Sequence, residues 1–346
     1  MADVKEKVLE SLKSVFYFPK SNDIVSLNMV RDIKVEGDKV SLSVIFDKPD
    51  EKSIPILRKA IENAIKENVN ENAAVQVDFK TYSDALSGVK HIVAIASGKG
   101  GVGKSTIAAN LALALKKTGA SVGIIDADIY GPSIPMMFDV EDQKPAGKEV
   151  DGKTKILPIE KYGIKVQSIG FFVEPEQALI WRGPMASNAL TQLFNDTLWG
   201  ELDYLVVDLP PGTGDIHLTF VQSVPVSGIA IVSTPQPVAL ADAKKAFSMF
   251  NSDNIKVPVL GLIENMSYFT PPELPDKKYY IFGKQGARKL ADNTRVNLLG
   301  EIPIVESIRE SGDVGKPEVM NEGSPVYKAF IDLAENIKAL VESKEK

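Results

Sequence analysis

The segment from Gly98 to Thr106 is the feature that most constrains how this chain can fold. It reads Gly-Lys-Gly-Gly-Val-Gly-Lys-Ser-Thr and fits G-x-x-x-x-G-K-[ST], the pattern of a loop that cradles phosphate groups. Before it, His91–Ala96 is a short apolar run with β-branched residues, which is typical of a buried strand. After it, Ala and Leu recur at helical spacing from Ile107 to Lys117. The sequence therefore predicts the strand, turn and helix that such a loop requires.

The residue types in this loop suit phosphate chemistry. Glycines let the backbone bend so that consecutive N–H groups face phosphate oxygens, and the helix opening at Lys104 adds the positive end of its dipole. We expect Lys104 to reach the β- and γ-phosphates, Ser105 to offer its hydroxyl to Mg²⁺, and Thr106 to contact the α-phosphate. The predicted nucleotide contacts in this segment are Gly98, Lys99, Gly100, Gly101, Val102, Gly103, Lys104, Ser105 and Thr106.

Two later apolar runs end in aspartates. Val122–Ile125 is followed by Asp126 and Asp128, and Tyr204–Val207 is followed by Asp208. Carboxylates just past the ends of parallel strands lie over the ligand crevice. We expect Asp208 to hold Mg²⁺ through its water shell, as in nucleotide hydrolases. Asp126 could support the same metal through water, and Asp128 could orient the attacking water. Helix capping is the alternative for Asp126 and Asp128.

Five further residues are candidates near the same crevice. Gly212, in a Pro-Pro-Gly-Thr-Gly segment after Asp208, could donate its N–H to the γ-phosphate and act as a nucleotide-sensing switch. Asn265 follows another apolar run and could read an adenine edge. Arg182 is either a phosphate or partner contact or one half of a structural ion pair. His217 is interpreted as a packing or surface residue, and His91 as the entry to a strand.

The order of the motifs predicts the fold class. Strands alternate with helices from His91 onward, which predicts an α/β domain with a doubly wound, mostly parallel sheet over residues 91–346. Residues 1–82 have the pattern of a small α+β domain, and 83–90 of a linker. Within the small domain, alternation predicts strands over Ile24–Val35 and Lys39–Phe46, separated by a turn at Gly37.

Charge and hydropathy limit the partners. The net charge is −6, which disfavours nucleic acid or an anionic membrane as the main partner. No apolar run approaches 20 residues and the N-terminus has no signal-peptide core, so we expect a cytoplasmic protein. The last predicted helix, about 325–343, suits core packing better than membrane anchoring because its flanks mix both charges. Its apolar face comprises Val326, Phe330, Leu333, Ile337, Leu340 and Val341.

Taken together, the motifs resemble those of the Mrp family of P-loop ATPases, also called ApbC-type iron–sulfur cluster carriers. The extra lysine, Lys99, resembles that of the MinD and nitrogenase-iron-protein class. The stretch from Asp23 to Val35 resembles the small domain, tied to iron–sulfur assembly, that often precedes this ATPase. The segments that carry the family resemblance are Ser97–Thr106, Asp126–Pro135, Trp181–Met185, Asp208–Asp215, Glu264–Ser267 and Tyr280–Gly283.

The resemblance implies a homodimer that binds ATP between subunits and hydrolyses it slowly. Lys104, Lys99 from the other subunit, and Asp128 are the implied catalytic residues. It also implies a [4Fe–4S] cluster that is carried to apo-proteins and held by a Cys-x-x-Cys pair from each subunit. The corresponding loop here is Thr270–Lys278, and the chain contains no cysteine.

Iron–sulfur clusters require soft thiolate ligands, and the acidic residues of this loop, Glu273 and Asp276, are hard oxygen donors. Either a cluster is bound through other ligands, or the chain serves assembly without holding one. We therefore predict an Mg²⁺-dependent ATPase of iron–sulfur cluster assembly whose partners are apo iron–sulfur proteins or assembly factors. The alternatives are a nucleotide-gated dimeric scaffold and, less favoured, a MinD-like positioning ATPase. Nitrogenase-type electron transfer is least favoured because it needs cluster thiolates.

Overall fold

The computed structural model describes residues 2–27, 29–46, 50–81, 86–150, 152–173, 183–252, 255, 257–271 and 273–343. The chain divides into two compact units, Met1–Ser87 and Gly88–Lys346. The sequence predicts a linker over 83–90, but Val89 and Lys90 already belong to a strand of the second unit. The reason is that Val89 is apolar and buried, and pairs with Leu202 of a neighbouring strand.

The first unit packs two helices against a three-stranded sheet. The helices are α1 (Ala2–Leu12) and α2 (Ile54–Asn68). The strands are β1 (Phe16–Tyr17), β2 (Asn22–Asp23), β3 (Val30–Glu36), β4 (Lys39–Phe46) and β5 (Ala74–Thr81). The three-stranded sheet has the order β3-β4-β5, and β1 pairs separately with β2. A tight turn makes β3 and β4 antiparallel, whereas α2 carries the chain back so that β5 runs parallel to β4.

One strand prediction in this unit is wrong in its first half. The pattern predicts a strand over 24–35, but β3 begins only at Val30. Oδ1 of Asp23 accepts hydrogen bonds from the backbone N–H groups of Val25, at 3.0 Å, and Ser26, at 2.7 Å. These bonds fold the chain into a turn that competes with strand pairing.

The second unit is built on an eight-stranded sheet. The strands of the whole unit, including two that lie outside this sheet, are β6 (Val89–Ser97), β7 (Val122–Asp126), β8 (Gly147–Val150), β9 (Lys153–Ile156), β10 (Ile159–Lys161), β11 (Ile164–Ser168), β12 (Leu202–Asp208), β13 (Gly228–Ser233), β14 (Val259–Phe269) and β15 (Asn297–Ile304). Its helices are α3 (Lys104–Lys117), α4 (Ile134–Met137), α5 (Gly183–Asp196), α6 (Asp215–Ser223), α7 (Pro237–Phe250), α8 (Gly286–Thr294), α9 (Glu306–Asp313) and α10 (Tyr327–Glu342).

The strand order is β10-β11-β7-β12-β6-β13-β14-β15, and only β10 runs antiparallel to its neighbour. Strands β8 and β9 form a separate hairpin. The central strand β6 is apolar along most of its length because helices cover both faces of the sheet. This confirms the predicted doubly wound, mostly parallel α/β fold. Asp208 lies opposite Asp126 on one side and Ile95 on the other, so β6, β7 and β12 end side by side.

The C-terminal helix α10 packs in the core, as its charge pattern predicts. It contacts α3 and β15. The buried residues of its apolar face are Val326, just before the helix, and Phe330, Leu333, Ile337 and Val341. In the described part of the chain, no helix has both the length and the apolar character needed to cross a membrane.

Candidate nucleotide-binding site

The phosphate loop, residues 98–106, joins the end of β6 to the start of α3. Gly103 directly precedes the helix with a φ of 81°, a left-handed conformation that glycine adopts without strain. Gly98 lies so close to α7 that a Cβ atom there would overlap the backbone of Asp242. The remaining predicted contacts lie in the same turn and the first turn of the helix: Lys99, Gly100, Gly101, Val102, Lys104, Ser105 and Thr106.

Lys104 connects this loop to two strand ends. Its side chain is 6% exposed, and its ammonium lies 2.7 Å from Oδ1 of Asp208 and 3.4 Å from Oδ2 of Asp128. It also donates to the Ser105 hydroxyl at 3.2 Å. A positive charge is therefore buried at the N-terminal end of α3. The helix dipole and the backbone N–H groups also favour an anion at this position.

Two carboxylate oxygens of the site have no partner. Oδ1 of Asp128 and Oδ2 of Asp208 are buried, and neither has a hydrogen bond within the described part of the chain. Leaving such an acceptor unpaired costs free energy, so these atoms have capacity for water or metal-bound water. Mg²⁺ prefers oxygen ligands and keeps several of its waters. Ser105 and Asp208 therefore fit Mg²⁺ with a nucleotide, and the free oxygen of Asp128 fits a bound water.

The buried carboxylates depend on this positive charge. Burial raises the pKa of Asp208, and the charge of Lys104 opposes that rise. Burial and then the negative charge of Asp208 raise the pKa of Asp126. A cation in the site would stabilise the ionised forms of both groups.

Asp126 lies beside Asp208 but is engaged with its own loop. Its Oδ1 accepts from the backbone N–H of Asp128 at 3.1 Å. Its Oδ2 accepts from the N–H of Ile134 at 3.0 Å and from the Ser168 hydroxyl at 3.2 Å. These bonds shape the loop that presents Asp128. The bond from Ile134, the first residue of α4, corresponds to the helix-capping alternative for Asp126. Both oxygens thus have protein partners, in contrast to Oδ2 of Asp208.

The N–H of Gly212 is bonded to the strand that leads into the phosphate loop. This N–H donates to the carbonyl of Ser97 at 2.9 Å, the residue that ends β6. The sequence predicts that this N–H binds the γ-phosphate, and the bond to Ser97 must open before it could do so. The bond from Gly212 to Ser97 is one that a nucleotide could displace, which suits a switch.

His217 holds the same segment and is a residue that sequence reasoning missed. It is 1% exposed, and its Nε2–H donates to the carbonyl of Pro210 at 3.0 Å. Its Nδ1 has no partner among the described residues, and burial lowers its pKa, so the ring is neutral. Its position two residues after Asp215, in the first turn of α6, is the one signal the sequence offered. His91, by contrast, packs against Tyr204 at the opposite end of the sheet.

Asn265 lies against the phosphate loop. Its Nδ2 donates to the carbonyl of Val102 at 2.8 Å, and the side chain is 6% exposed. One N–H and the carbonyl of this amide remain for an adenine edge. Lys99 is half-buried in the loop, and its carbonyl accepts from the Ser97 hydroxyl at 3.0 Å. Arg182 lies outside the described residues.

Comparison with known proteins identifies the family. A model described as an NUBPL iron-transfer P-loop NTPase matches residues 88–338. A second, described as an iron–sulfur cluster assembly protein, matches residues 5–79. The chain belongs to the NUBPL iron-transfer P-loop NTPase family. This confirms the family that the sequence motifs indicate.

Relatives with curated names support the same assignment. The chain is 43% identical to an iron-sulfur cluster carrier protein of Aquifex aeolicus, over 91% of this chain and 92% of the relative. It is 43% identical to an iron-sulfur cluster carrier protein of Escherichia coli, over 96% and 86% respectively. It is 48% identical to the iron-sulfur cluster transfer protein NUBPL of Dictyostelium discoideum, over 73% and 77%.

Solved structures match the second unit. A nucleotide-binding protein of Archaeoglobus fulgidus, in complex with ADP, is 38% identical with a TM-score of 0.61 and covers 72% of this chain and 94% of its own. The cell division ATPase MinD of Pyrococcus furiosus is 24% identical with a TM-score of 0.53, over 72% and 99%. The second match shows the shared fold alone.

The loop for which the sequence resemblance implies cluster ligands contains no cysteine. We call residues 268–282 the tyrosine hairpin; Phe269 and Tyr279 close it with two reciprocal backbone hydrogen bonds of 2.8 Å. The chain has no cysteine. Among the described residues, no group of three or more histidine or acidic side chains could hold a metal. The residues present do not fit a thiolate-bound iron–sulfur cluster.

Proposed function

We propose that this chain binds ATP with Mg²⁺ at the phosphate loop, hydrolyses it, and takes part in delivering iron–sulfur clusters to apo-proteins. One observation carries the ATPase: the ammonium of Lys104 is buried between Asp128 and Asp208, each with an unpartnered oxygen. Cluster delivery is supported by the family model, by the second model over residues 5–79, and by relatives named cluster carriers.

Hydrolysis in this site is mostly a matter of positioning and charge neutralisation. Lys104 turns from the two carboxylates to the phosphate oxygens, so its charge moves onto the group being transferred. The free Oδ1 of Asp128 accepts a hydrogen bond from the attacking water and aligns it with the γ-phosphate. Ser105 and, through water, Asp208 would hold Mg²⁺, which neutralises phosphate charge when bound.

We also propose that the active form is a homodimer. Large apolar side chains that are more than half exposed occur in the segments after β7, β11, β13 and β14. They are Tyr130, Met136, Phe172, Val238 and Ile281. Because carboxyl ends of parallel strands share one edge of a sheet, these side chains surround the nucleotide site. A second copy would cover them and bring its own Lys99 toward the nucleotide.

The missing thiolates favour a second candidate, a nucleotide-gated scaffold that recruits partners without holding a cluster. Both candidates share the ATPase and differ in whether iron and sulfide pass through this chain. In a carrier, cluster appears on an acceptor only after it has resided on this protein. In a scaffold, the acceptor obtains its cluster from a separate donor that this chain brings near.

The proposal is tested with the full chain, an apo iron–sulfur acceptor protein and a cluster donor, under anaerobic conditions. We expect MgATP to accelerate loading of the acceptor by wild type. Asp128→Asn should lower kcat about 100-fold with little change in KM, because it weakens water alignment and leaves binding intact. It should slow loading accordingly. Acceptor loading that is equally fast without this chain would contradict the proposal.

The dimer has its own test. Light scattering of the eluting protein should give twice the monomer mass with a non-hydrolysable ATP analogue. Lys99→Ala should leave binding of that analogue to the monomer near wild type but slow hydrolysis, since Lys99 acts on the nucleotide of the other copy. Hydrolysis whose specific rate does not depend on protein concentration, with a monomeric mass throughout, would contradict the dimer.

A further inference from the structure

Asn265 connects the phosphate loop to the tyrosine hairpin. It lies on β14, and its amide donates to the carbonyl of Val102 at 2.8 Å. Gly103, the next loop residue, packs so closely on this amide that a Cβ atom would overlap its Nδ2. The amide is therefore seated against the loop at a position that only glycine allows.

This contact sets the orientation of one phosphate-binding group. The peptide between Val102 and Gly103 is planar and trans, so its C=O and N–H point to opposite sides. Asn265 holds the C=O. The N–H of Gly103 is consequently turned away from Asn265, toward the set of loop donors that this motif directs at phosphate oxygens.

The same strand leads directly into the hairpin. Tyr268 follows Asn265 by three residues, a span of about 10 Å in an extended chain. Between them, Met266 has a φ of 54°, a left-handed conformation that non-glycine residues rarely adopt. The pairing of β14 with β15 is irregular between Asn265 and Phe269. Cε of Met266 lies 3.8 Å from the point where a Cβ of Gly103 would stand.

Residues 273–281 of the hairpin are exposed. The ammonium of Lys278 lies 3.9 Å from the ring centre of Tyr268, and the rings of Tyr268 and Tyr280 meet edge to face at 6.5 Å. Ile281 is 61% exposed. A small change at Met266 would therefore reach the two hydrogen bonds between Phe269 and Tyr279 at the base of the hairpin.

We propose that Asn265 is a positioning residue that couples occupancy of the phosphate loop to the order of the tyrosine hairpin. The coupling rests on the proposed binding of nucleotide to this loop. A phosphate that accepts from the Gly103 N–H polarises the peptide and strengthens the Val102 carbonyl as an acceptor. The bond to Asn265 tightens, Met266 stays left-handed, and the hairpin base is protected. Without phosphate, Met266 can relax toward extended backbone and the base opens.

The test is amide hydrogen exchange of the full chain, read on peptides that cover residues 268–282, with and without saturating MgADP. In wild type we expect nucleotide to slow exchange at Phe269 and Tyr279 about tenfold. Asn265→Ala should bind labelled ADP about tenfold more weakly, the usual loss for one buried hydrogen bond. At saturation its hairpin should no longer respond. Asn265→Asp keeps the shape but offers no donor, and it should behave in the same way.

Ser267→Ala is the matched control, because Ser267 is on the same strand but donates to the carbonyl of Ile302, away from the loop. Its hairpin should respond like wild type. Magnesium tripolyphosphate, which has no base, should also protect the wild-type hairpin. A response that requires adenosine, or one that persists in Asn265→Ala, would overturn the coupling. If MgADP binds but the hairpin does not respond, the coupling is wrong and the proposed function stands. If MgADP does not bind, the proposed function is wrong as well.

Discussion

The nucleotide site and the tyrosine hairpin are linked by β14, which carries Asn265 and leads into the hairpin, but they differ in what holds them. In the site, Lys104, Asp128 and Asp208 are almost fully buried and form ion pairs of 2.7 and 3.4 Å. In the hairpin, Tyr279 and Ile281 are exposed, and lysines lie over tyrosine rings. The comparison shows that the phosphate-loop site is held by buried charges, whereas the hairpin is largely exposed to solvent.

The physical reason for this difference is desolvation. A buried lysine between two carboxylates tolerates no substitution without leaving a charge unpaired. An exposed loop residue can be replaced at little cost, because water remains its partner. The absence of cysteine from the hairpin therefore requires no change at the phosphate loop, and a substitution is expected to cost more in the site than in the hairpin.

The largest effect is expected at Lys104. Lys104→Ala should lower kcat for ATP by about 10²–10³-fold, because it removes the charge that stabilises the transferred phosphoryl group. It should also lower the free energy of unfolding of the nucleotide-free chain by about 3 kcal/mol, since two buried carboxylates lose their partner.

Lys117→Ala is the control for this change. Lys117 is on the same helix, but its pair with Glu322 is exposed, so its loss should cost about 0.5 kcal/mol and leave kcat unchanged. Hydrolysis rates and chemical denaturation measure both variants. Equal effects of the two substitutions would contradict the expectation that the buried charge of Lys104 matters more than the exposed charge of Lys117.

A smaller effect is expected at His217. His217→Phe leaves the carbonyl of Pro210 without its donor, so the free energy of unfolding should fall by about 1–2 kcal/mol and kcat should fall more than KM rises. His91→Phe is the control, because that ring packs on Tyr204 near the start of β6, away from the phosphate loop, and its replacement should leave kcat unchanged. Steady-state kinetics of both variants distinguish a positioning role from general packing.

The pH dependence of stability tests the same histidine. Burial lowers the pKa of His217 below its usual 6.5, so the unfolded chain binds its proton more readily. Stability from this group is therefore present above pH 6.5 and is lost as pH falls below that value. Between pH 6.5 and 5, wild type should lose stability more steeply than His217→Phe. Parallel curves would show that the ring is not held neutral.

Asp203 lies at the amino-terminal edge of the sheet, away from both the nucleotide site and the hairpin. Asp203 accepts from Lys90 at 2.6 Å and from the Ser121 N–H at 2.8 Å, which hold its pKa below the usual 3.8. Its contribution is present above pH 3.8 and is lost as pH falls. Asp203→Asn should lower the free energy of unfolding by about 1 kcal/mol at pH 7, an amount discounted for exposure, with no change in ATPase rate. A changed rate would link this edge to the nucleotide site.

The smallest effect is expected in the hairpin. Lys278→Ala removes the ammonium that lies over Tyr268 and should lower the free energy of unfolding by about 0.5–1 kcal/mol, with kcat unchanged. Lys277→Ala, its exposed neighbour, should have no measurable effect on thermal unfolding. A hairpin substitution that altered kcat as strongly as one in the site would contradict the separation of the two regions.

Local signals explain what could be predicted from the sequence. The phosphate loop was predictable because strand, glycine turn and Lys104 are contiguous in the chain. Asp208 was predictable because an apolar run that ends in a carboxylate needs no knowledge of the rest of the fold. The core-facing stripe of α10 was predictable for the same reason. Each of these features depends on spacing within a single segment.

The features that were missed depend on contacts between segments or between side chain and backbone. Asp23 folds its own backbone into a turn, which the alternation of the following residues conceals. The bond of Gly212 to Ser97 and that of Asn265 to Val102 exist only because of the strand order around β6. His217 has its role because Pro210 lies above α6, and a lone histidine gives no sign of that.

The central proposal is that this chain hydrolyses ATP at the phosphate loop and holds no cluster through ligands of its own. The direct measurement is anaerobic reconstitution of purified chain with iron and sulfide, followed by iron and sulfide counts on the isolated protein. Glu273→Cys combined with Asp276→Cys gives a positive arm, because it creates a Cys-x-x-Cys spacing in a chain with no other cysteine. The account predicts cluster on the double variant, none on wild type, and Lys104-dependent ATPase in wild type. A stoichiometric, transferable cluster on the wild-type chain would contradict it.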